Sequence, residues 1–142
     1  MASAAESYQQ AIKSLAAEAV GQGSLPAPTG RIFLDNPLCG DCIEMQVAVV
    51  DERIAALAHQ VKGCLLCRAA ASVIGKRAIG AQLADIERVS AETAAMLRDG
   101  SPAPSGWDEM TAFEPVHGHP SRYRCVQLPF EALAAAMQAG DR

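Results

Sequence analysis

The chain has 142 residues and a mass of 14.9 kDa; 50% of its residues are apolar and its formal net charge is −4, which fits one globular domain over 1–142 and excludes a disordered tract. Basic residues are interspersed with acidic ones, so no electrostatic footprint for nucleic acid is present. No apolar run approaches the about 20 residues of a membrane span, and "MASAAESYQQ" lacks the parts of a secretory signal, so the expected setting is cytoplasmic, with no membrane partner.

Ser3 followed by Glu6 has the form of a capping box, and Tyr8, Ile12, Leu15, Ala16 and Ala19 recur at helical spacing up to Gly21, which predicts a first helix. "GQGSLPAPTG" has no periodicity and reads as a loop leading into the extended "RIFL". From Ile43 the pattern alternates, with Ile43, Met45, Val47 and Val49 on one face and Glu44 and Gln46 on the other, as in a half-buried strand. Residues 52–62, "ERIAALAHQVK", carry two patterns. Their Ala and Leu favour helix, whereas Leu57, His59 and Val61 alternate as in a strand entered through an Asp51-Glu52 turn.

After Gly63, "CLLCRAAASVIGKRAIG" sets Leu66, Ala70, Val73, Ile74 and Arg77 at helical offsets and puts Cys64 near a helix N-terminus. Residues 81–98 predict more helix, with a break near Ser90, a residue suited to an N-cap. "DGSPAPSG" is a loop, "WDEMTAF" a short helical turn and "HGHPS" another loop. From Arg122 to Gln138 a last helix presents Val126, Phe130, Leu133 and Met137, and Pro129 must lie in or near its first turn or kink it.

Cysteines stand at 39, 42, 64, 67 and 125, an odd count that favours metal or sulfur chemistry over a disulfide framework where no export signal is seen. The ordinary fate of a free cysteine is that of a small buried hydrophobe. Against it, Cys39-x-x-Cys42 and Cys64-x-x-Cys67 approximate a four-cysteine zinc pattern, so a zinc-ribbon interaction module using both pairs is one reading. A thiol redox protein using Cys39 and Cys42 is another, without the βαβ context such a pair needs. Strand parity aims Cys42 with Glu44 and Gln46, away from the core face, and helical spacing turns Cys67 toward Ala71 and Ile74. Among the cysteines, that leaves Cys39, Cys64 and Cys125.

The segments "NPLCGD", "KGCLLCRAAASVIG" and "HPSRYRCVQLPFEAL" resemble, in order, the three cysteine motifs of the IscU/NifU-N/SufU scaffold proteins of iron-sulfur cluster assembly, from Tyr8 to Met137. The resemblance implies an α+β fold, a small antiparallel three-stranded sheet with helices packed on one face, and therefore strand at 53–61. It implies one site of Cys39, Asp41, Cys64 and Cys125 holding a [2Fe-2S] cluster or zinc. It also implies sulfur received as persulfide from a SufS-like cysteine desulfurase, with Cys39 as first acceptor, and apo iron-sulfur proteins as recipients. The protein is then a scaffold rather than an enzyme, a zinc-dependent sulfur-acceptor role being a variant of that reading. The chain has no Leu-Pro-Pro-Val-Lys motif and carries Arg124 where the chaperone-served branch has a histidine; "IGAQLADIERVSAETAAMLRDGSPAPSG" resembles the insertion of the SufU branch, which lacks a cysteine at the place of Cys42.

Three thiolates hold soft iron or zinc firmly, whereas one aspartate oxygen is a harder, weaker donor, so this ligand set is labile enough to give up what it holds. Asp41 alone reads equally as a turn aspartate bonding its own backbone. Cys64 and Cys125 each fall near a helix N-terminus, which favours thiolate, and Lys62 and Arg124 are the candidate supporting charges, although solvated surface is the commoner role of both residue types. His59 is expected in the core, His117 and His119 toward solvent, and Trp107 and Phe113 in packing.

Overall fold

The computed structural model describes residues 4–37 and 40–139. Its elements are helix α1 (Ala4–Glu18), strands β1 (Gly30–Asn36), β2 (Asp41–Val50) and β3 (Arg53–Lys62), helices α2 (Leu65–Arg77) and α3 (Leu83–Asp99), 3-10 segments at Asp108–Val116 and Pro120–Arg122, and helix α4 (Tyr123–Ala139). This is the α+β architecture expected: one antiparallel sheet in the order β1-β2-β3, packed against helices. Among the described residues no helix is long and apolar enough to cross a membrane. The Ser3 cap expected for α1 lies outside the described residues, and Ile12 and Leu15 bury that helix against α2.

Strand β2 follows its alternation, with Ile43, Met45 and Val47 enclosed in the core. The two-pattern stretch resolves as strand β3. Asp51 and Glu52 take left-handed φ values of 51° and 67°, the mirror-image turn whose twist matches a two-residue hairpin, and the buried edge of β2 then supplies a partner that outweighs helix propensity. Register sets Cys42 opposite Asp35 on β1 and Lys62 on β3.

Helix α2 is small-residued and buried on most sides. Gly75 faces the backbone carbonyl of Val20, which a Cβ there would strike, so the chain leaving α1 passes directly over α2. His59, on β3, fastens the same crossing: its Nε2–H donates to Val20 O at 2.8 Å, and its backbone N–H donates to Gly21 O at 2.9 Å. It is a core histidine, as expected, and burial lowers its pKa, opposed by the Val20 hydrogen bond.

Helix α3 has no break at Ser90. Its apolar stripe of Ile86, Val89, Met96 and Leu97 runs through that position, and the cap is Gln82, which shares a capping box with Asp85. Helix α4 packs on β1 and β2 and also touches α2 and α3. Pro129 sits in its second turn rather than its first, where it has no N–H to give the carbonyl of Cys125. Trp107 and Phe113 pack in the core, as expected.

Candidate metal centre

The site forms where the sheet hands over to two helices. Asp41 opens β2; the β2–β3 register that pairs Cys42 with Lys62 places Asp41 across from Gly63, the residue that turns the chain from β3 toward α2. Asp41 is 1% exposed. Its Oδ1 accepts the backbone N–H of Cys64 at 2.7 Å, and its Oδ2 accepts the thiol of Cys64 at 3.5 Å. The carboxylate thus lies at the N-terminus of α2, where aligned peptide dipoles favour negative charge. Glycine at 63 is required by this contact: a Cβ would fall 2.8 Å from Asp41 Cγ and closer still to Oδ1.

Cys64 is the N-cap of α2, in extended conformation at φ −71° and ψ 166°, with its side chain exposed. Cys125, the third residue of α4, comes in from the other side and is buried. The ligand atoms of Asp41, Cys64 and Cys125 all lie within 4.8 Å of one another. Two sulfurs bound to one tetrahedral zinc stand about 3.8 Å apart, from Zn–S bonds of about 2.3 Å, so closing these side chains on a metal asks for side-chain adjustment only. The thiol proton that Cys64 shares with Asp41 is what a metal would displace, and its binding therefore releases protons.

Of the four residues singled out, three are brought together from strand and helix starts far apart in sequence. Cys39 lies outside the described residues; its neighbours Pro37 and Gly40 flank the β1–β2 connection, where Gly40 N–H donates to Asn36 O at 2.8 Å. Cys42 is half-buried between Asp35 and Lys62 by register, and Cys67 is fully enclosed in the apolar core; among the described residues neither joins the cluster. The charge of Arg124 is directed along its own helix to Glu131, at 3.1 Å, and Lys62 ends β3 opposite Cys42. His117 and His119 are exposed, although Nδ1–H of His117 also donates to Leu97 O at 2.9 Å. Two features escaped the sequence reading: the steric role of Gly63, visible only as the residue before Cys64, and a groove beside Cys64 lined in part by His119 and Arg122.

Residues 7–137 match the family model described as the NifU-like N terminal domain. The chain belongs to that family. An iron-sulfur cluster assembly scaffold protein IscU of Thermotoga maritima is 25% identical over 135 residues, covering 95% of each chain. One of the same name from Streptococcus pyogenes serotype M1 is 26% identical over 108 residues, 75% of this chain and 68% of that protein. The crystal structure of the N-terminal part of a nitrogen-fixing NifU-like protein from Brucella abortus superposes with a TM-score of 0.89 at 28% identity, covering 94% of both chains. A candidate SUF-system scaffold from Fervidobacterium islandicum superposes at 0.81 and 19% identity, over 90% of this chain and 94% of that one, which shows a shared fold.

Proposed function

We propose that this NifU-like N-terminal domain is a scaffold on which iron-sulfur clusters are assembled, with Cys39, Asp41, Cys64 and Cys125 as the ligands of the metal or cluster. The observation that carries the reading is the convergence of one carboxylate and two thiols within 4.8 Å at the starts of β2, α2 and α4. Two thiols and an oxygen form a mixed soft and hard donor set, suited to holding iron or zinc without holding it permanently. The names of the IscU relatives support the same assignment. Partners of this function are a cysteine desulfurase and apo iron-sulfur proteins, acting in the cytoplasm, and the helical segment between Cys64 and Cys125 supports a SufU-like member of the family.

In the sulfur-accepting step, the Cys39 thiolate attacks the terminal sulfur of the desulfurase persulfide. The S–S bond in the desulfurase breaks, a new S–S bond forms on Cys39, and the desulfurase cysteine leaves as thiolate, with no net oxidation or reduction. Anaerobic iron, sulfide and zinc analysis of the purified chain, with a visible spectrum, separates cluster from zinc as resident species. Incubation with a desulfurase and L-cysteine, followed by alkylation and peptide mass analysis, locates the sulfur. Label reaching Cys64 or Cys125 in Cys39→Ser at the wild-type rate would refute the acceptor role of Cys39. The rival zinc-ribbon module is favoured instead if Cys67→Ser abolishes metal binding while Cys125→Ser leaves it intact.

A further inference from the structure

The sheet has two edge strands, and the chain treats them differently. An edge presents a row of N–H and C=O groups that another strand can take up, so folds ordinarily cover it. The outer edge of β3 is covered at both ends: Gln22 bridges His59 and Gln82 bridges Arg53, with backbone bonds from Gly23 N–H to His59 O and from Ile54 N–H to Ala81 O, each 3.0 Å. The outer edge of β1 is open. Among the described residues, the backbone groups of residues 31–35 bond β2 and nothing else. Phe33, in the middle of β1, is 64% exposed on the outer face of the sheet. Ile32 and Leu34, on the core face, stay part-exposed, although their neighbours on β2, Met45 and Ile43, are fully enclosed. An apolar open edge is a surface that a further strand would bury.

The residues of β1 match a second β1. A twofold axis between antiparallel strands passes through a directly opposed pair, so β1 paired with its own copy is centred on one residue. Centred on Phe33, Arg31 of each copy faces Asp35 of the other, Ile32 faces Leu34, and Phe33 faces Phe33. Centred on Ile32, the register sets Arg31 against Phe33; centred on Leu34, it sets Phe33 against Asp35. Of these three, the first alone joins unlike charges and apolar with apolar side chains, the pairs that stabilise a sheet. Arg31 also holds Glu44 of its own chain at 3.1 Å, but its side chain is 66% exposed and the guanidinium has further donors to give.

We propose that β1 is the contact strand of a homodimer, in which two copies pair antiparallel, edge to edge about Phe33, and join two three-stranded sheets into one of six. The contact is self-complementary, and the edges left outermost are the covered ones of β3, so growth stops at two chains. Asn36 ends β1 opposite Asp41. Three residues on either side of the axis, at about 3.4 Å each, set the two Asn36 about 20 Å apart along the sheet. The metal centres thus lie at opposite ends of the contact, and the pairing does not depend on what they hold. Two short strands make a small interface of the transient class, so the dimer belongs to high protein concentration.

The test is sedimentation velocity of the metal-free full chain under a thiol reductant, from about 10 µM to about 1 mM, where a monomer is expected to pass into a dimer and nothing larger. Arg31→Asp alone opposes acid to acid at both ends of the contact, and Asp35→Arg alone opposes base to base, so each should weaken the dimer about tenfold or more. Mixing the two variants opposes unlike charges again at both ends and should restore association as a heterodimer, an effect that neither misfolding nor loss of the Glu44 bond produces. Phe33→Lys, which leaves the Arg31 and Glu44 pair in place, should also weaken the dimer about tenfold or more and carries the test if Arg31→Asp fails to fold by circular dichroism. A chain that stays monomeric at about 1 mM, self-association indifferent to Phe33→Lys, growth beyond two chains, or a mixture of folded charge variants no more associated than either alone would overturn the proposal.

Discussion

Replacing Gly63 by alanine tests the geometry on which the metal centre depends. The added Cβ would stand 2.8 Å from Asp41 Cγ, and Asp41, 1% exposed, has no solvent to swing into. Gly63 does not use the left-handed region, so the backbone itself accepts alanine and the cost is steric. Pushing the carboxylate away breaks the 2.7 Å bond from the Cys64 N–H, a hydrogen bond to a charged group contributing about 1.5–3 kcal/mol. Strain from the overfilled space adds about 1–3 kcal/mol. Urea unfolding of the metal-free protein should therefore show Gly63→Ala less stable by about 3–5 kcal/mol. In an Asp41→Ala background most of the colliding atoms are gone, so the same substitution should cost about 1 kcal/mol, a coupling that a double-mutant cycle reads directly. Gly40→Ala is the control: it strains a backbone at φ 75° with nothing near the added carbon, so it costs about 1–2 kcal/mol in either background. Equal cost of Gly63→Ala with and without the Asp41 carboxylate would refute the steric account.

Asp41→Ala is expected to lengthen the lifetime of a bound cluster and slow its transfer, because the hardest donor is removed; faster decay of visible absorbance in the variant would make Asp41 a holding ligand instead. Cys67→Ser sets a hydroxyl in the closed core, so it should lower stability by about 1–3 kcal/mol while leaving metal stoichiometry unchanged, whereas Cys125→Ser should remove the metal. His59, with its pKa lowered by burial, binds fewer protons folded than unfolded. Its contribution is full above about pH 6.5 and is lost as pH falls toward its folded pKa, by at most about 1.4 kcal/mol per pH unit. His59→Gln, which keeps a donor for Val20 O, should flatten that part of the curve in unfolding of the metal-free protein measured from pH 7.5 down; an identical slope in both proteins would remove His59 as its source.

Periodicity of two and of 3.6 residues, and the cysteine motifs, determined a good part of this protein in advance. Strand β2, the helix entered at Cys64, the core placement of His59 and the outward parity of Cys42 all follow from side-chain spacing, which is local. What spacing left open is what depends on a distant partner. Residues 53–62 became strand because β2 offers a buried edge and Asp51-Glu52 a matching turn, neither of which their own composition contains. Ser90 does not interrupt α3, because the apolar stripe continues through it onto the core. The meeting of Asp41 with Cys64 is fixed by β2–β3 register, which sets the Asp41 carboxylate over a glycine, and Cys125 is delivered to them by packing of α4 across β1 and β2. The groove beside Cys64 draws Lys13 from α1 and His119 and Arg122 from the turn before α4, so it exists only once those segments fold together.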